Sequence, residues 1–225
     1  MTKVTEQAIL DFYTYPPIGG DDWRYTFETA QIRAIEMQLL SRTALLDLAN
    51  AESFDAAADL LSATEYALPP GAGSLVEIDK ILLLRRSALQ ELFELLCIDK
   101  PIVKLFKTRY DFANLRLALR RTLTERAIGT DYSNDGNVPA EQFEEAFKEE
   151  NSNLFPDYMQ KAAERAVLAY YQNKDIRRID YTIDAAQAEY NLTEARRLES
   201  IFLLGLFKIL IDLTNIRTML RLKFT

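Results

Sequence analysis

Carboxylates are the side chains with the greatest capacity for chemistry here, because the 225-residue sequence contains no histidine. The absence of histidine excludes a Ser-His-Asp triad, a Cys-His pair and a Glu-x2-His di-iron site. One acidic run has helical spacing and could form a metal or acid–base cluster: Glu141, Glu144, Glu145, Glu149 and Glu150. No second acidic helix obviously converges on this run, so we interpret it as a solvated helix face.

The segment that precedes this run imitates the calcium-binding loop of an EF-hand. Side-chain oxygens, a glycine and an aliphatic residue follow the EF-hand order at positions one, three, five, six and eight: Asp131, Ser133, Asp135, Gly136 and Val138. The twelfth position, which needs a bidentate glutamate, is Gln142. We therefore favour a turn-rich linker over a calcium site.

An internal repeat is the most informative feature of the sequence. Shifting the chain by 101 positions aligns residues 77–123 with residues 178–224 without a gap. Ten aligned pairs are identical: Ile78/Ile179, Asp79/Asp180, Leu105/Leu206, Phe106/Phe207, Lys107/Lys208, Asp111/Asp212, Asn114/Asn215, Arg116/Arg217, Leu119/Leu220 and Arg120/Arg221. The polar matches define two signatures, Asp111, Asn114, Arg116 and Arg120 in the first copy and Asp212, Asn215, Arg217 and Arg221 in the second.

Each signature could be a catalytic or anion-binding cluster, or a polar contact that fixes how helices meet. On a helix, Phe112, Leu115 and Leu119 share one apolar stripe, and the second copy has the same stripe at Leu213, Ile216 and Leu220. Asp111 and Asn114 lie at the edge of the stripe, where they need hydrogen-bond partners from a neighbouring helix or loop. Because an active site is normally needed once per domain, we favour the structural interpretation.

Helices must position these residues, since only 7 glycines and 7 prolines interrupt stretches rich in Ala, Leu, Glu, Arg and Gln. The sequence predicts an all-α fold with helices at about 23–50, 54–61, 74–98, 101–127, 140–150, 156–171, 176–190 and 193–223. Ser53 is the predicted cap of the second helix, and Ser74 with Glu77 forms a predicted capping box for the third. The predicted organisation is a first repeat domain at 1–129, a linker at 130–139 and a C-terminally incomplete second domain at 140–225.

Composition limits the partners of the chain. The 27 basic and 34 acidic residues give a net charge of -7, which opposes nucleic-acid binding. One cluster of basic residues could contact acidic partner surfaces or form ion pairs with carboxylates of the same chain: Lys104, Lys107, Arg109, Arg116, Arg120 and Arg121. The single cysteine, Cys97, lies in an apolar run and predicts a buried thiol in a reducing, cytoplasmic setting. No apolar segment is long enough to predict membrane insertion.

Two segments carry a resemblance to a known family. Residues 109–116 and 211–223 resemble the Asp-x2-Asn signatures of the C-subunit family of V-type and A-type ATPases, an AC39-like family whose eukaryotic member is the d subunit. Residues 30–36 are similar to that family's opening helix, and residues 53–66 to its next short helix and loop. The resemblance implies three related helical domains arranged as a funnel. Since this sequence offers two clear repeats, we expect the third domain to be missing or truncated.

The same resemblance implies a mechanical function. Such a chain is a non-catalytic rotor subunit of the central stalk, with the central-shaft subunits and the proteolipid ring as partners. We therefore expect no catalytic residue, cofactor, metal or small-molecule substrate, and a cytoplasmic location peripheral to the membrane. Two alternatives stay open: an all-helical protein-interaction scaffold unrelated to ATPases, and an enzyme with a carboxylate-bound metal.

Overall fold

The computed structural model describes residues 22–68, 75–124, 131–149 and 151–224. Every regular element in these ranges is a helix, which confirms the all-α prediction. The α-helices are α1 (Thr26–Glu36), α2 (Arg42–Ala49), α3 (Phe54–Leu61), α4 (Leu75–Leu96), α5 (Lys100–Leu123), α6 (Ala140–Lys148), α7 (Asp157–Asn173), α8 (Arg177–Arg197) and α9 (Ile201–Phe224). The described residues up to Lys100 form one compact unit, and those from Pro101 onwards form a second. The domain boundaries predicted from the repeat, and the funnel, stay predictions.

The single helix predicted over residues 23–50 is wrong, because the chain forms α1 and α2 with a turn between them. Ser41 starts α2 by accepting a hydrogen bond from the Ala44 N–H at 3.1 Å. The first N–H groups of a helix have no partner within the helix, so a serine at the preceding position favours the start of a new helix. Ser53 caps α3 in the same way, as predicted, through the Ala56 N–H at 3.2 Å.

The break predicted near residue 191 is also wrong, because α8 continues to Arg197. Thr193 stays helical, and its hydroxyl donates to the Glu189 carbonyl at 2.8 Å. The chain turns instead at Glu199, whose φ is 52°, a value that few non-glycine residues adopt. Ser200 then caps α9 by accepting a hydrogen bond from the Leu203 N–H at 3.2 Å.

The remaining predicted helices are present with ends that differ by a few residues. α5 begins at Lys100, directly after Asp99, as the Asp-Lys-Pro sequence predicts. The predicted cap at Ser74, the predicted helix end at Ala127 and Glu150 lie outside the described residues.

In the first unit, the short 3-10 helix Trp23–Tyr25 is joined to the loop after α4. The Tyr25 hydroxyl donates to Asp99 Oδ2 at 3.0 Å and accepts from the Asp99 N–H at 2.9 Å. Burial is the main cause that raises the pKa of Tyr25 to about 12. The Cys97 thiol is buried beside this contact, as its apolar run predicts.

The main core lies in the second unit, where α5, α6, α7 and α8 share one apolar cluster. Its largest fully buried apolar side chains are Phe112, Leu115, Phe143, Met159, Ile179 and Ile183. A smaller cluster joins the first half of α9 to α5 and α8 through Leu105, Ala195, Leu203, Leu204 and Phe207. Each helix contributes residues three or four positions apart, as expected of a helix with one buried stripe.

Candidate functional site

Asp111 lies on α5 with a fully buried carboxylate, against the turn formed by residues 131–139. Its Oδ1 atom accepts hydrogen bonds from the backbone N–H groups of Asn137, at 2.8 Å, and Val138, at 3.0 Å. Its Oδ2 atom accepts from the Asn137 side-chain amide, at 2.9 Å, and from the Tyr158 hydroxyl, at 3.0 Å. These four donors replace the water that an exposed carboxylate would bind, so the charge can be buried.

Asn114, one helical turn further along α5, binds the other end of the same turn. Its Nδ2 group donates to the Ser133 carbonyl at 2.8 Å, and its Oδ1 atom accepts from the Ser133 N–H at 2.9 Å. The Asn137 amide also donates to the Lys104 carbonyl of α5 at 3.0 Å. We call the group formed by Asp111, Asn114, Ser133, Asn137 and Tyr158 the polar clamp, because it holds the turn against α5.

Gly136 allows the turn to approach α5 closely. A Cβ atom at Gly136 would lie 2.2 Å from Asp111 Oδ1 and 3.2 Å from Asp111 Cγ. Since no side chain fits at these distances, only glycine lets the next two N–H groups reach the carboxylate. The turn is also linked to α6, because Asn134 Oδ1 accepts a hydrogen bond from the Ala140 N–H at 3.0 Å.

Residues of the segment that imitates an EF-hand loop make contacts with α5. The backbone of Ser133 binds Asn114, and the Asp131 carboxylate lies 2.6 Å from the Arg121 guanidinium of α5. The hydrogen bond from Arg121 is the main cause that lowers the pKa of Asp131 below its ordinary value. Within the described ranges, no three His, Cys, Asp or Glu side chains are grouped so that they could hold a metal ion.

The acidic run of α6 lies on the side of the helix that faces away from the core. Glu141, Glu145 and Glu149 are exposed. The half-buried Glu144 pairs with Lys148 at 3.5 Å. These glutamates therefore form the solvated face of an amphipathic helix.

Two arginines of the first signature form an ionic network with α8. Arg116 pairs with Asp184, and its Nε atom lies 4.0 Å from Asp180 Oδ1. Arg120 Nη1 lies 3.6 Å from Asp180 Oδ2. The network therefore joins α5, which belongs to the first sequence copy, to a helix of the second copy.

Aromatic rings enclose the clamp on the side of α7 and α8. The ring centroids of Tyr158 and Tyr190 are 4.3 Å apart, and that of Phe112 lies 5.6 Å from Tyr158. Burial, and then the charge of Asp111, raises the pKa of Tyr158 well above its ordinary value. The Tyr158 hydroxyl therefore keeps its proton at neutral pH and donates a hydrogen bond to Asp111.

The second signature lies in a different environment. Its four residues, Asp212, Asn215, Arg217 and Arg221, are exposed on the second half of α9. The apolar stripe differs in the same way: Phe112, Leu115 and Leu119 are 0%, 0% and 3% exposed, whereas Leu213, Ile216 and Leu220 are 57%, 53% and 51% exposed. The structure thus buries Asp111, Asn114 and the apolar stripe of the first copy, whereas the corresponding residues of the second copy lie on an exposed stretch of helix.

The partners of Asp111 and Asn114 were not identified from the sequence. A signal for the turn exists, because Asn134, Asp135, Gly136 and Asn137 are residues that favour tight turns, and a glycine there allows close approach. Tyr158 has no such signal, since it lies 47 residues from Asp111. Only the folded arrangement of α5 and α7 brings these two side chains together.

Comparisons with known proteins agree with the resemblance seen in the signatures. A sequence model of the family described as "ATP synthase (C/AC39) subunit" matches residues 29–225. The chain is also 27% identical over 194 residues to the C subunit of the V-type sodium ATPase of Enterococcus hirae. That alignment covers 84% of this chain and 58% of the relative, so the chain spans little more than half of the relative's length. No solved structure matches the chain significantly.

Among the helices described, none combines the length and the apolar character that crossing a bilayer requires.

Proposed function

The chain belongs to the ATP synthase (C/AC39) subunit family, which includes the C subunits of V-type ATPases, and from this premise we propose that it is a non-catalytic central-stalk subunit of a V/A-type rotary ATPase. In this role it couples the central shaft to the proteolipid ring and is peripheral to the membrane on the cytoplasmic side. The family match and the similarity to the sodium ATPase protein support the proposal. Because the chain spans 58% of that relative, the partners of the whole protein are part of the proposal.

The polar clamp is the structural observation that carries the mechanical part of the proposal. Buried hydrogen bonds to a carboxylate are directional, so they resist sliding of the turn along α5 more than apolar contacts do. The ionic network of Arg116 and Arg120 adds a second link between α5 and α8. A protein that transmits rotation needs joints of this kind. We therefore assign a structural role to the first signature, and we propose the same role for the second because its residues are identical.

We also propose that the chain has no active site or cofactor of its own. Each oxygen of the Asp111 carboxylate accepts two hydrogen bonds from the protein. An acid, base or metal ligand needs an oxygen that a substrate or ion can reach. The most deeply buried carboxylate in the second unit is instead occupied by structural donors.

Binding to purified ATPase subunits tests the proposed role. The full chain should be retained by immobilised shaft subunits and, separately, by the proteolipid ring in detergent. Retention by neither partner would contradict the proposal and favour a helical scaffold with other partners.

Activity of the assembled complex tests coupling itself. Omitting the chain should leave ATP hydrolysis by the catalytic head while ATP-driven ion transport is lost. Adding the chain back should restore transport. Transport that is the same with and without the chain would show that it does not connect the shaft to the ring.

A further inference from the structure

The turn between α7 and α8 carries a group of exposed apolar residues. Leu168 and Tyr171 lie one helical turn apart near the end of α7, and Tyr181 lies one turn after the start of α8. Each of these three residues is more than half exposed, although both helices also contribute residues to the main core. We call residues 168–181 the hairpin tip. Large apolar side chains grouped at one end of a helical hairpin are typical of an interaction site.

Basic side chains lie among these apolar residues. The Lys174 ammonium lies 4.2 Å from the centroid of the Tyr171 ring. Arg178 is exposed and lies one helical turn before Tyr181. The hairpin tip therefore combines aromatic rings with cations that water can reach.

The carboxylates of the hairpin tip do not cancel this positive charge. Asp175 pairs with Arg177, whose Nη2 atom lies 3.0 Å from Asp175 Oδ2. Asp180 lies near the two arginines of α5 that form the ionic network. The tip thus has a local excess of positive charge, although the net charge of the whole chain is -7. A partner of this surface should be anionic.

The placement of the apolar residues favours a lipid surface as this partner. Leu168 lies shortly before the end of α7, and Tyr181 lies shortly after the start of α8. At about 1.5 Å per helical residue, both are roughly 6–8 Å from the turn. Amphipathic elements enter the interface of a bilayer to a depth of about 5–10 Å. Tyrosine is enriched at this depth, and lysine and arginine are attracted to anionic lipids there.

We propose that the hairpin tip is a membrane-docking site that lies in the headgroup region of an anionic bilayer. Leu168, Tyr171 and Tyr181 enter the interface, while Lys174 and Arg178 bind the anionic groups of the lipids. Docking of this kind is reversible and weakens in salt, since it depends on few cations and a small apolar area. The inference goes beyond the proposed function, because it concerns lipid and needs no ATPase subunit.

An acidic protein helix is a poorer partner for the hairpin tip. Helices dock by laying one apolar face into a groove. The tip instead offers apolar side chains on two helices, with cations in the turn between them. A fluid lipid surface can surround such a group on several sides.

Vesicle binding with a fluorescent reporter at the tip tests the proposal. The full chain contains one tryptophan, Trp23, so Trp23→Phe combined with Tyr171→Trp moves the reporter to position 171. With vesicles of phosphatidylcholine and phosphatidylserine, its emission should shift to shorter wavelengths, because the indole ring leaves water. Vesicles of phosphatidylcholine alone should cause a much smaller shift. The original chain, whose Trp23 is exposed in the first unit, should show no shift with either kind of vesicle.

Charge reversal shows whether the cations of the tip are responsible. Lys174→Glu combined with Arg178→Glu should lower the vesicle partition coefficient by at least about tenfold. Lys104→Glu combined with Lys161→Glu is the matched control, since both lysines are exposed and lie outside the tip. The control makes the same change in net charge and should lower the partition coefficient by less than about threefold. Far-UV circular dichroism checks that each variant is folded.

Three results would overturn the proposal. The reporter at position 171 could keep its emission with the phosphatidylserine vesicles, or the two charge reversals could reduce binding equally. Retention of the original chain on poly-glutamate beads without binding to vesicles, lost on Lys174→Glu with Arg178→Glu, would assign the hairpin tip to an acidic protein partner.

Discussion

Replacing Gly136 with alanine tests whether the polar clamp stabilises the second unit. The added Cβ atom would lie 2.2 Å from Asp111 Oδ1, so the turn or the carboxylate must move. Movement separates Oδ1 from the N–H groups of Asn137 and Val138, which lie 2.8 Å and 3.0 Å away. A hydrogen bond to a charged group contributes about 1.5–3 kcal/mol, so losing two should lower the free energy of unfolding by about 3–6 kcal/mol.

Gly205 offers the same chemical change without the clash. It lies in α9, and apart from the neighbouring backbone of that helix a Cβ atom there would meet nothing within 4 Å. Because alanine favours helix more than glycine does, Gly205→Ala should raise the free energy of unfolding by roughly 0.5–1 kcal/mol. Opposite signs for the two substitutions would attribute the loss at Gly136 to its contact with Asp111.

Urea denaturation followed by far-UV circular dichroism measures both effects. The chain has two compact units, and nearly all of α5 belongs to the second. Faster hydrogen exchange of α5 should therefore show that the second unit is the one destabilised. In an Asp111→Ala background, Gly136→Ala should cost much less, because the atom it clashes with is gone. A Gly136→Ala protein within about 0.5 kcal/mol of the original, or an equal cost in both backgrounds, would refute the reasoning.

Three further outcomes follow from the same contacts. Asp111→Asn should lower the free energy of unfolding by about 2–4 kcal/mol, because an amide group would face N–H donors, whereas the exposed Asp212→Asn should change it by less than about 0.5 kcal/mol; urea midpoints check both. Burial raises the pKa of Tyr158 above its ordinary value of 10.0, so the folded state keeps a proton that the unfolded chain releases. The free energy of unfolding should therefore fall as pH rises above about 10, and Tyr158→Phe should reduce that slope by up to about 1.4 kcal/mol per pH unit. Phe143→Ala, at a fully buried position of the core, should cost about 3–5 kcal/mol in the same urea assay.

The fold could be predicted where local residues decide it. Few glycines and prolines indicated an all-α chain, and the run Asp99-Lys100-Pro101 indicated the start of α5. The errors fall where local patterns are ambiguous. A serine such as Ser41 can lie inside a helix or cap one. Glu199 adopts a φ of 52°, which the presence of a glutamate does not indicate.

Only part of the candidate site could be predicted from the sequence. The repeat identified Asp111 and Asn114, and the edge of an apolar stripe indicated that they need partners. Their partners lie 19 to 47 residues away in the chain, so they depend on how α5, α6 and α7 pack together. Identity between the two copies also says nothing about burial, since Asp111 is buried and Asp212 is exposed.

The ionic network shows that two residues that are identical in the two sequence copies can have different surroundings. Asp180 aligns with Asp79, yet Asp180 lies near Arg116 and Arg120, whereas Asp79 is exposed. Removing the Asp180 carboxylate takes away one of the two opposite charges near Arg116, whose buried Nε atom already lacks a hydrogen-bond partner, and leaves the pair with Asp184. Because both arginines are partly exposed and solvent screens them, Asp180→Ala should cost about 1 kcal/mol.

Asp79→Ala is the matched control, and it should change the free energy of unfolding by less than about 0.5 kcal/mol. A double-mutant cycle between Arg120→Ala and Asp180→Ala measures their coupling by urea denaturation. Equal costs at positions 79 and 180, or no coupling in the cycle, would mean that the network does not hold α5 against α8. A measurable coupling would show that the arginines of α5, in the first sequence copy, are matched to a carboxylate of α8, in the second copy.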